Sequence, residues 1–257
     1  MRLLLINLER APERLAAMTT RLDAVGQSFT VLRATDGRCL TQTDRARADG
    51  WKRRWITEYP LTDNEIGCYL SHLGAMQELL NSGEKMLAVL EDDLTVTPEL
   101  PHVLRAIEAS GIAFSMIDLH RNFKPGEVFV PCSELFGNCQ IGRIGYTHMN
   151  NFGYVVSRQG AFRFIAAHRR FVHAVDKAMH RYWANGLELY GLSHPVVSND
   201  PATASMIDET RATRPRFPDA DALHWRLARM LSRGTDSIRK RLCFPFYAHR
   251  GRRQRAT

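Results

Sequence analysis

Continuous apolar runs alternate with stretches of helical periodicity along most of the chain. Met1–Asn7 carries four consecutive aliphatic residues and reads as a short buried strand. From Pro12, Leu15, Met18, Leu22 and Val25 recur at helical spacing until Gly26 stops them, and Phe29–Ala34 reads as a second strand. These elements make a βαβ unit, which places ligands at the carboxyl edge of an open parallel sheet. Residues 38–59 are polar, arginine-rich and without a clear period, and read as a loop or mobile segment. Thr62 and Glu65 have capping-box spacing ahead of Ile66, Leu70, Leu73, Gln77 and Leu80, a helix that Gly83 closes. Met86–Leu90 is strand-like, Pro98 starts a helix, Ile112–Leu119 and Phe152–Val156 are strands, and Ser157 caps the helix that follows. A helix over Val175–Ala184 and a strand near Pro195–Ser198 complete the compact part, so the pattern predicts an α/β fold.

At 257 residues, 44% hydrophobic and 24% charged, the chain is one large domain or a domain with an appendage. That composition excludes collagen, coiled coil and wholesale disorder. Cys39, Cys68, Cys132, Cys139 and Cys243 are odd in number and lack a close CxxC pair, which fits a reducing compartment, free thiols and no zinc knuckle. The apolar run at Leu3–Ile6 is far short of the roughly 18 residues a membrane span needs, so neither a secretory signal nor a transmembrane helix is expected. The net charge of +8 is concentrated at one end, because residues 211–257 hold 13 Lys or Arg against 3 Asp or Glu while the preceding 210 hold 22 against 24. The expected division is a body over 1–210 and a basic, partly helical tail over 211–257. Such a tail suits a polyanionic surface, either nucleic acid or anionic lipid. Leu223, Leu227, Met230 and Leu231 gather on one helical side with Arg226, Arg229 and Arg233 beside them, the layout of an interfacial basic helix. The alternative packs those four apolar residues against the body.

Three clusters invite chemistry. Glu91, Asp92 and Asp93 directly follow a buried strand, where adjacent carboxylates repel one another unless a cation neutralises them. Mg²⁺ or Mn²⁺ would do so while bridging to substrate phosphates, and a solvated turn is the plainer reading. On the helix beginning near Thr62, Glu65, Tyr69 and His72 fall on one face, a polar stripe able to line a pocket, while Ile66, Leu70 and Leu73 face the core. Cys68 with His72 also raises a thiol-protease reading, but residues four apart on one helix give no attack trajectory and no orienting third group is indicated. Asn7, Arg10 and Arg14 follow the first strand, and the two guanidinium groups can reach an anion at its carboxyl end. Asp36-Gly37 after the second strand is a turn signature first and a ligand contact second.

Taken together, Ile6–Arg14, Ala34–Gly37, Glu65–His72 with Leu90–Asp93, and Gly153–Ser157 with Gly160-Ala161 resemble glycosyltransferase family 25. That group includes lipooligosaccharide β-galactosyltransferases and the catalytic part of collagen galactosyltransferases. The resemblance covers roughly residues 1–200 and leaves the basic tail outside it. It implies a GT-A type, Rossmann-like catalytic domain with a mainly helical basic extension, and an inverting transfer of a hexose, galactose in the first instance, from a UDP-sugar. The acceptor would be a glycan or glycolipid such as bacterial lipopolysaccharide or lipooligosaccharide. Asp93 would be the best ligand for Mn²⁺ or Mg²⁺, with Glu91 or Asp92 on the ribose or a metal-bound water; Glu91 is the second metal candidate. Asn7, Arg10, Arg14, Asp36, Glu65, Ser71 and His72 would join Glu91 and Asp92 in donor binding. An inverting transfer needs a base for the acceptor hydroxyl: Asp176, which could instead be only a helix N-cap, with Asp118 as the runner-up. The tail would hold a cytoplasmic enzyme peripherally on an anionic membrane surface, the inner face of the cell membrane. The competing expectation is a nucleic-acid-binding tail behind a non-catalytic body, but no recognised nucleic-acid module is present.

Overall fold

A computed structural model describes residues 1–120, 128–145, 153–201, 211 and 213–253, with side chains through Ala248. The frame is an eight-stranded mixed sheet in the order β2-β1-β3-β8-β5-β9-β7-β6. Its strands are β1 (Leu3–Asn7), β2 (Thr30–Arg33), β3 (Met86–Glu91), β5 (Met116–Asp118), β6 (Phe129–Phe136), β7 (Cys139–Ile144), β8 (Gly153–Ser157) and β9 (Leu189–Leu192). A separate antiparallel ribbon joins β4 (Leu94–Val96) to β10 (Val197–Asn199). In the large sheet β8 and β7 run against the other six strands. The α/β expectation holds, with the opening βαβ unit built as β1, α1 (Pro12–Ala24) and a parallel β2.

The continuous apolar runs of β1 and β3 are buried on both faces, as strands in the middle of a covered sheet must be. Alternation then sorts their side chains into two cores. Leu3 and Leu5 meet Met18 and Leu22 of α1 and Val103, Leu104 and Ile107 of α5 (Leu100–Ala109). Leu4 and Ile6 meet Leu73 and Met76 of α4 (Asp63–Asn81) and Phe164 of α6 (Arg158–Ala167). The Thr62 capping box of α4 forms as expected, with the Thr62 hydroxyl accepting from the Glu65 N–H at 3.2 Å and the Glu65 carboxylate from the Thr62 N–H at 2.9 Å. Ser157 likewise caps α6 through the Gly160 N–H.

Several expectations are corrected. Residues 38–59 are not one loop: a 3₁₀ turn (Gly37–Cys39), α2 (Gln42–Ala46) and α3 (Gly50–Arg54) form there, with Thr41 and Asp49 as caps. The helix expected over Val175–Ala184 is two, α7 (Val175–Met179) and α8 (Tyr182–Asn185), broken where His180 and Arg181 leave helical geometry. Strand β5 is shorter than the expected 112–119, and Phe152 at the start of the next expected strand lies outside the described residues. The β6–β7 hairpin and β9 are additions that the hydrophobic pattern did not bring out. Within the described part of the tail lies a 31-residue helix, α9 (Leu223–Arg253), which buries Trp225, Ala228, Arg229 and Tyr247. Among the described residues no helix is long and apolar enough to cross a membrane.

Candidate active site

An open cleft with a cavity of about 110 Å³ lies at the carboxyl ends of β1 and β3, between the loop after β2 and one face of α4. Its position follows from the sheet: where parallel strands end, the loops to the flanking helices diverge and leave a crevice. Gly67 lets α4 approach the loop after β2, since a Cβ there would stand 2.6 Å from the Thr35 carbonyl oxygen. The Ser71 hydroxyl locks this approach by accepting the Thr35 N–H at 2.8 Å and donating to the Gly67 carbonyl. Ser71 thus lines the cleft while serving as a structural brace.

The acidic triplet forms one wall with Arg14 and Asn7. Arg14 bridges two carboxylates, at 2.8 Å to Asp92 and 2.9 Å to Asp93, and the Asn7 amide donates to Asp92 at 2.7 Å. Asp93 Oδ1 is buried and accepts no hydrogen bond from the described residues. Burial, Asp93, Asp92 and Asp176 together push the Glu91 carboxyl well above the usual range, against the pull of Arg14. Burial also raises Asp92, opposed by Arg14 and Asn7. One guanidinium therefore leaves negative charge uncompensated in this wall, and an orphaned carboxylate oxygen with it. The orphaned Asp93 oxygen leaves it able to serve as a ligand to a hard divalent cation, while the donor atoms that already converge are those of Glu91, His72 and Cys68.

Opposite stands His72, 1% exposed, with Nε2 3.0 Å from Glu91 and Nδ1 3.0 Å from the Tyr154 hydroxyl. Burial lowers it to about 4, so its imidazole is neutral at pH 7. Cys68 shares the wall, its Sγ within 4.8 Å of the His72 and Glu91 donor atoms. Burial and the carboxylates Glu91, Asp176 and Asp93 push its thiol well up, the reverse of what a thiol nucleophile requires. At the cleft mouth Arg10 pairs with Asp36 at 2.7 Å, and Asp36 also accepts the Arg38 N–H, which outweighs its burial and keeps its carboxyl low.

Of the sequence candidates, Arg10, Arg14, Ser71, His72, Glu91, Asp92 and Asp93 meet in this cleft, with Asn7 and Asp36 bonded to its walls. Glu65 does not line it. Its carboxylate caps α4 and binds Arg211 at 2.8 Å, with Arg214 at 3.6 Å. Tyr69, placed by periodicity on the pocket stripe, is instead fully buried and stacks on Phe171 with ring centres 4.1 Å apart. The cleft face of α4 is Asn64, Cys68, Ser71 and His72, an i, i+4, i+7, i+8 series one step round the helix. Because α4 is buried on nearly every side, hydrophobicity could not distinguish these faces. The Tyr154 hydroxyl is the functional group that sequence reasoning missed; its only signal was its place in Gly153–Ser157.

The two candidate bases differ. Asp176 sits in the first turn of α7 without capping it, since the N-cap is Ala174 and the only described bond of its side chain is from the Lys177 N–H. It is close enough to shift Glu91, His72 and Cys68 electrostatically. Asp118 is 3% exposed at the end of β5, with Oδ2 3.2 Å from His180 and Oδ1 on the His120 N–H. Burial raises its carboxyl, but His180 and His120 outweigh that and hold it below the usual value. His180 in turn bonds the Asp176 carbonyl at 2.9 Å, tying the start of α7 to β5.

A family model described as glycosyltransferase family 25 (LPS biosynthesis protein) matches residues 1–179. The chain belongs to glycosyltransferase family 25. Its similarity to curated family 25 proteins includes 30% identity over 174 residues to a glycosyltransferase 25 family member of Drosophila melanogaster, covering 65% of this chain and 28% of that protein. It is 28% identical to a probable inactive glycosyltransferase 25 family member 3 of Bos taurus, over 63% of this chain and 28% of the other. It is 25% identical to procollagen galactosyltransferase 2 of Mus musculus, over 63% and 27%. The chain thus spans little more than a quarter of the length of these relatives. A solved galactosyltransferase, LgtC with donor and acceptor sugar analogues, aligns over 89% of this chain and all of its own at 10% identity and a TM-score of 0.39, too low to carry weight. Family 25 membership, the mixed α/β sheet and the helical C-terminal part agree with the GT-A type expectation.

Proposed function

We propose that this family 25 protein transfers a hexosyl group, galactose first among candidates, from a UDP-sugar to a hydroxyl of a glycan or glycolipid acceptor, with inversion. The observation that carries the reading is the cleft that Glu91, Asp92 and Asp93 line together with Arg10 and Arg14, in which Asp93 keeps a buried oxygen without a described partner and the two arginines are paired with carboxylates that an entering anion would compete with. A polyphosphate entering there finds cations on the β1 side and carboxylates on the β3 side. Mn²⁺ or Mg²⁺ held by Asp93 and Glu91 would supply positive charge where the diphosphate leaves. Arg14 would then turn from its carboxylates toward phosphate oxygens, with Asn7 keeping Asp92 in place.

In the transfer, the acceptor oxygen bonds to the anomeric carbon as the bond from that carbon to the diphosphate oxygen breaks. The hydroxyl proton passes to Asp176, and UDP departs with the bonding pair. Asp176 is preferred over Asp118 because both Asp118 oxygens are engaged, one with His180 and one with the His120 N–H, whereas Asp176 has one described side-chain bond and is close enough to act electrostatically on His72 and Glu91. Neutral His72, between Glu91 and Tyr154, positions Glu91 without adding a competing charge. The galactosyltransferase name of the mouse relative supports the choice of hexose, and the family description supports a lipopolysaccharide-type acceptor. A donor screen tests the reading: UDP-galactose, UDP-glucose and UDP-N-acetylglucosamine are incubated with the protein in Mn²⁺ or in chelator, and released UDP is measured. Metal-dependent release from UDP-galactose is expected. Absence of release from every UDP-sugar, together with no calorimetric binding of UDP in Mn²⁺, would overturn it.

A further inference from the structure

The outer face of α9 is apolar although nothing described covers it. Leu223, Leu227, Met230, Ile238, Leu242 and Phe246 are all exposed, from 46% at Leu227 to 77% at Phe246. At about 100° per residue they share one broad face, turned away from the side that buries Trp225, Arg229 and Tyr247. Exposed Arg226 and Arg233 flank the stripe on one side and Arg239 on the other, and exposed Arg241 falls within it, beside Met230. Asp236, the one acidic residue of the helix, is drawn to the body by Arg181 and by the Trp183 indole at 2.8 Å. Two exposed indoles of α3 stand on the other side of the helix, against Trp225. Trp51 packs edge-on to Trp225 at 5.1 Å between ring centres yet is 64% exposed, and Trp55 packs at 6.0 Å and is 47% exposed.

We propose that this outer face of α9 docks the protein on an anionic lipid bilayer. The inference is independent of the transfer reaction. A helix with alkyl side chains along its outer face and arginines beside and among them, whose long stems let the charge reach outward, matches the boundary between acyl chains and phosphate headgroups. Charge selects this occupant over a second copy of the chain. Residues 211–257 carry 13 basic against 3 acidic residues, so two such faces brought together would oppose arginine to arginine. An anionic headgroup supplies the complementary charge. The dock also has a defined place relative to the cleft, because Arg211 and Arg214, which precede α9, are anchored on Glu65 at the start of α4.

The full chain is sedimented with vesicles of phosphatidylcholine containing 30 mol% phosphatidylglycerol, and with pure phosphatidylcholine vesicles, in low and in high salt. Binding to the anionic vesicles is expected, with release by salt and at least about tenfold weaker binding to the neutral ones. Leu227→Glu with Ile238→Glu should lose tenfold or more while circular dichroism and UDP-sugar turnover stay unchanged. Arg226→Gln with Arg233→Gln should lose about fivefold per arginine. The proposal fails if the Leu227→Glu, Ile238→Glu variant binds like the parent, or if the parent ignores anionic vesicles. It fails equally if the parent is a dimer without lipid that the same double variant makes monomeric, because the stripe would then belong to a second copy.

Discussion

Asp93 and Asp92 are adjacent carboxylates on one arginine, yet they are not equivalent. Asp92 receives Asn7 as well as Arg14, whereas Asp93 keeps Oδ1 buried and unbonded among the described residues. Asp93→Asn removes a ligand charge but leaves an amide oxygen of the same shape, so thermal stability should hold within about 1 kcal/mol while metal-dependent UDP release falls at least about 100-fold. Asp176→Asn should lower transfer by about 10²–10⁴-fold with UDP binding retained, as removal of a positioned base does. Asp118→Asn should behave differently: it breaks a buried pair with His180, so unfolding free energy drops by about 3–5 kcal/mol and activity falls in step with folded fraction. Acid sensitivity comes from histidines that burial pushes down, His72 in the cleft and His173 outside it. Burial and the cations Arg181, Lys177 and Arg53 push His173 down to about 2. The unfolded chain then binds a proton there that the folded chain refuses, so the contribution is intact above about pH 6.5 and is lost progressively as pH falls below it. Between pH 6.5 and 5 this amounts to about 1–2 kcal/mol. Urea unfolding at those two pH values should show that loss in the parent and a smaller one in His173→Gln.

Elements convert these residues into a cleft, and α4 carries most of that load. Its start was legible because Thr62 and Glu65 combine a local rule with an apolar run, and backbone satisfaction at a helix N-terminus depends on nothing distant. Thr62→Ala should therefore lower stability by about 1 kcal/mol without changing donor affinity. Which face of α4 meets the ligand was not legible, since Tyr69 and Cys68 are both sheltered and only tertiary neighbours, Phe171 for one and Glu91 for the other, separate their roles. Gly67 tests that geometry. Its replacement by Ala should cost about 1–3 kcal/mol and weaken UDP binding, because the new methyl must push the loop bearing Thr35 and Asp36 off the helix. The β6–β7 hairpin escaped the sequence reading for a related reason. Pro131 interrupts its apolar alternation and two register shifts break its ladder, so its strand character comes from pairing with β9 rather than from its own pattern.

The whole molecule is closed by a contact between its most basic element and its most buried cation. Arg143 on β7 is 1% exposed, with its guanidinium 3.9 Å from the Tyr190 ring centre, 4.4 Å from that of Tyr247, and paired with Glu188. Tyr247 comes from α9 and also stacks on Tyr182 at 4.2 Å. Composition made the tail legible as a charged extension, since charge is countable residue by residue. It did not reveal that Tyr247 would fasten that extension to β7 and α8, and Trp225, 22 positions earlier, to α3, because their burial depends on where those elements stand. The consequence is that α9 is not dispensable for stability even though its outer face is free of described contacts. Tyr247→Ala should lower unfolding free energy by about 3–5 kcal/mol, since it opens a cavity and uncovers one side of a buried guanidinium. Arg239→Gln with Arg241→Gln, both on the exposed side, should change it by no more than about 0.5 kcal/mol. Thermal and urea unfolding of the two variants beside the parent measure the difference directly. If both variants unfold like the parent, α9 is held by something other than Tyr247; if both are equally destabilised, the net charge of the tail, rather than its buried face, is what stabilises the fold.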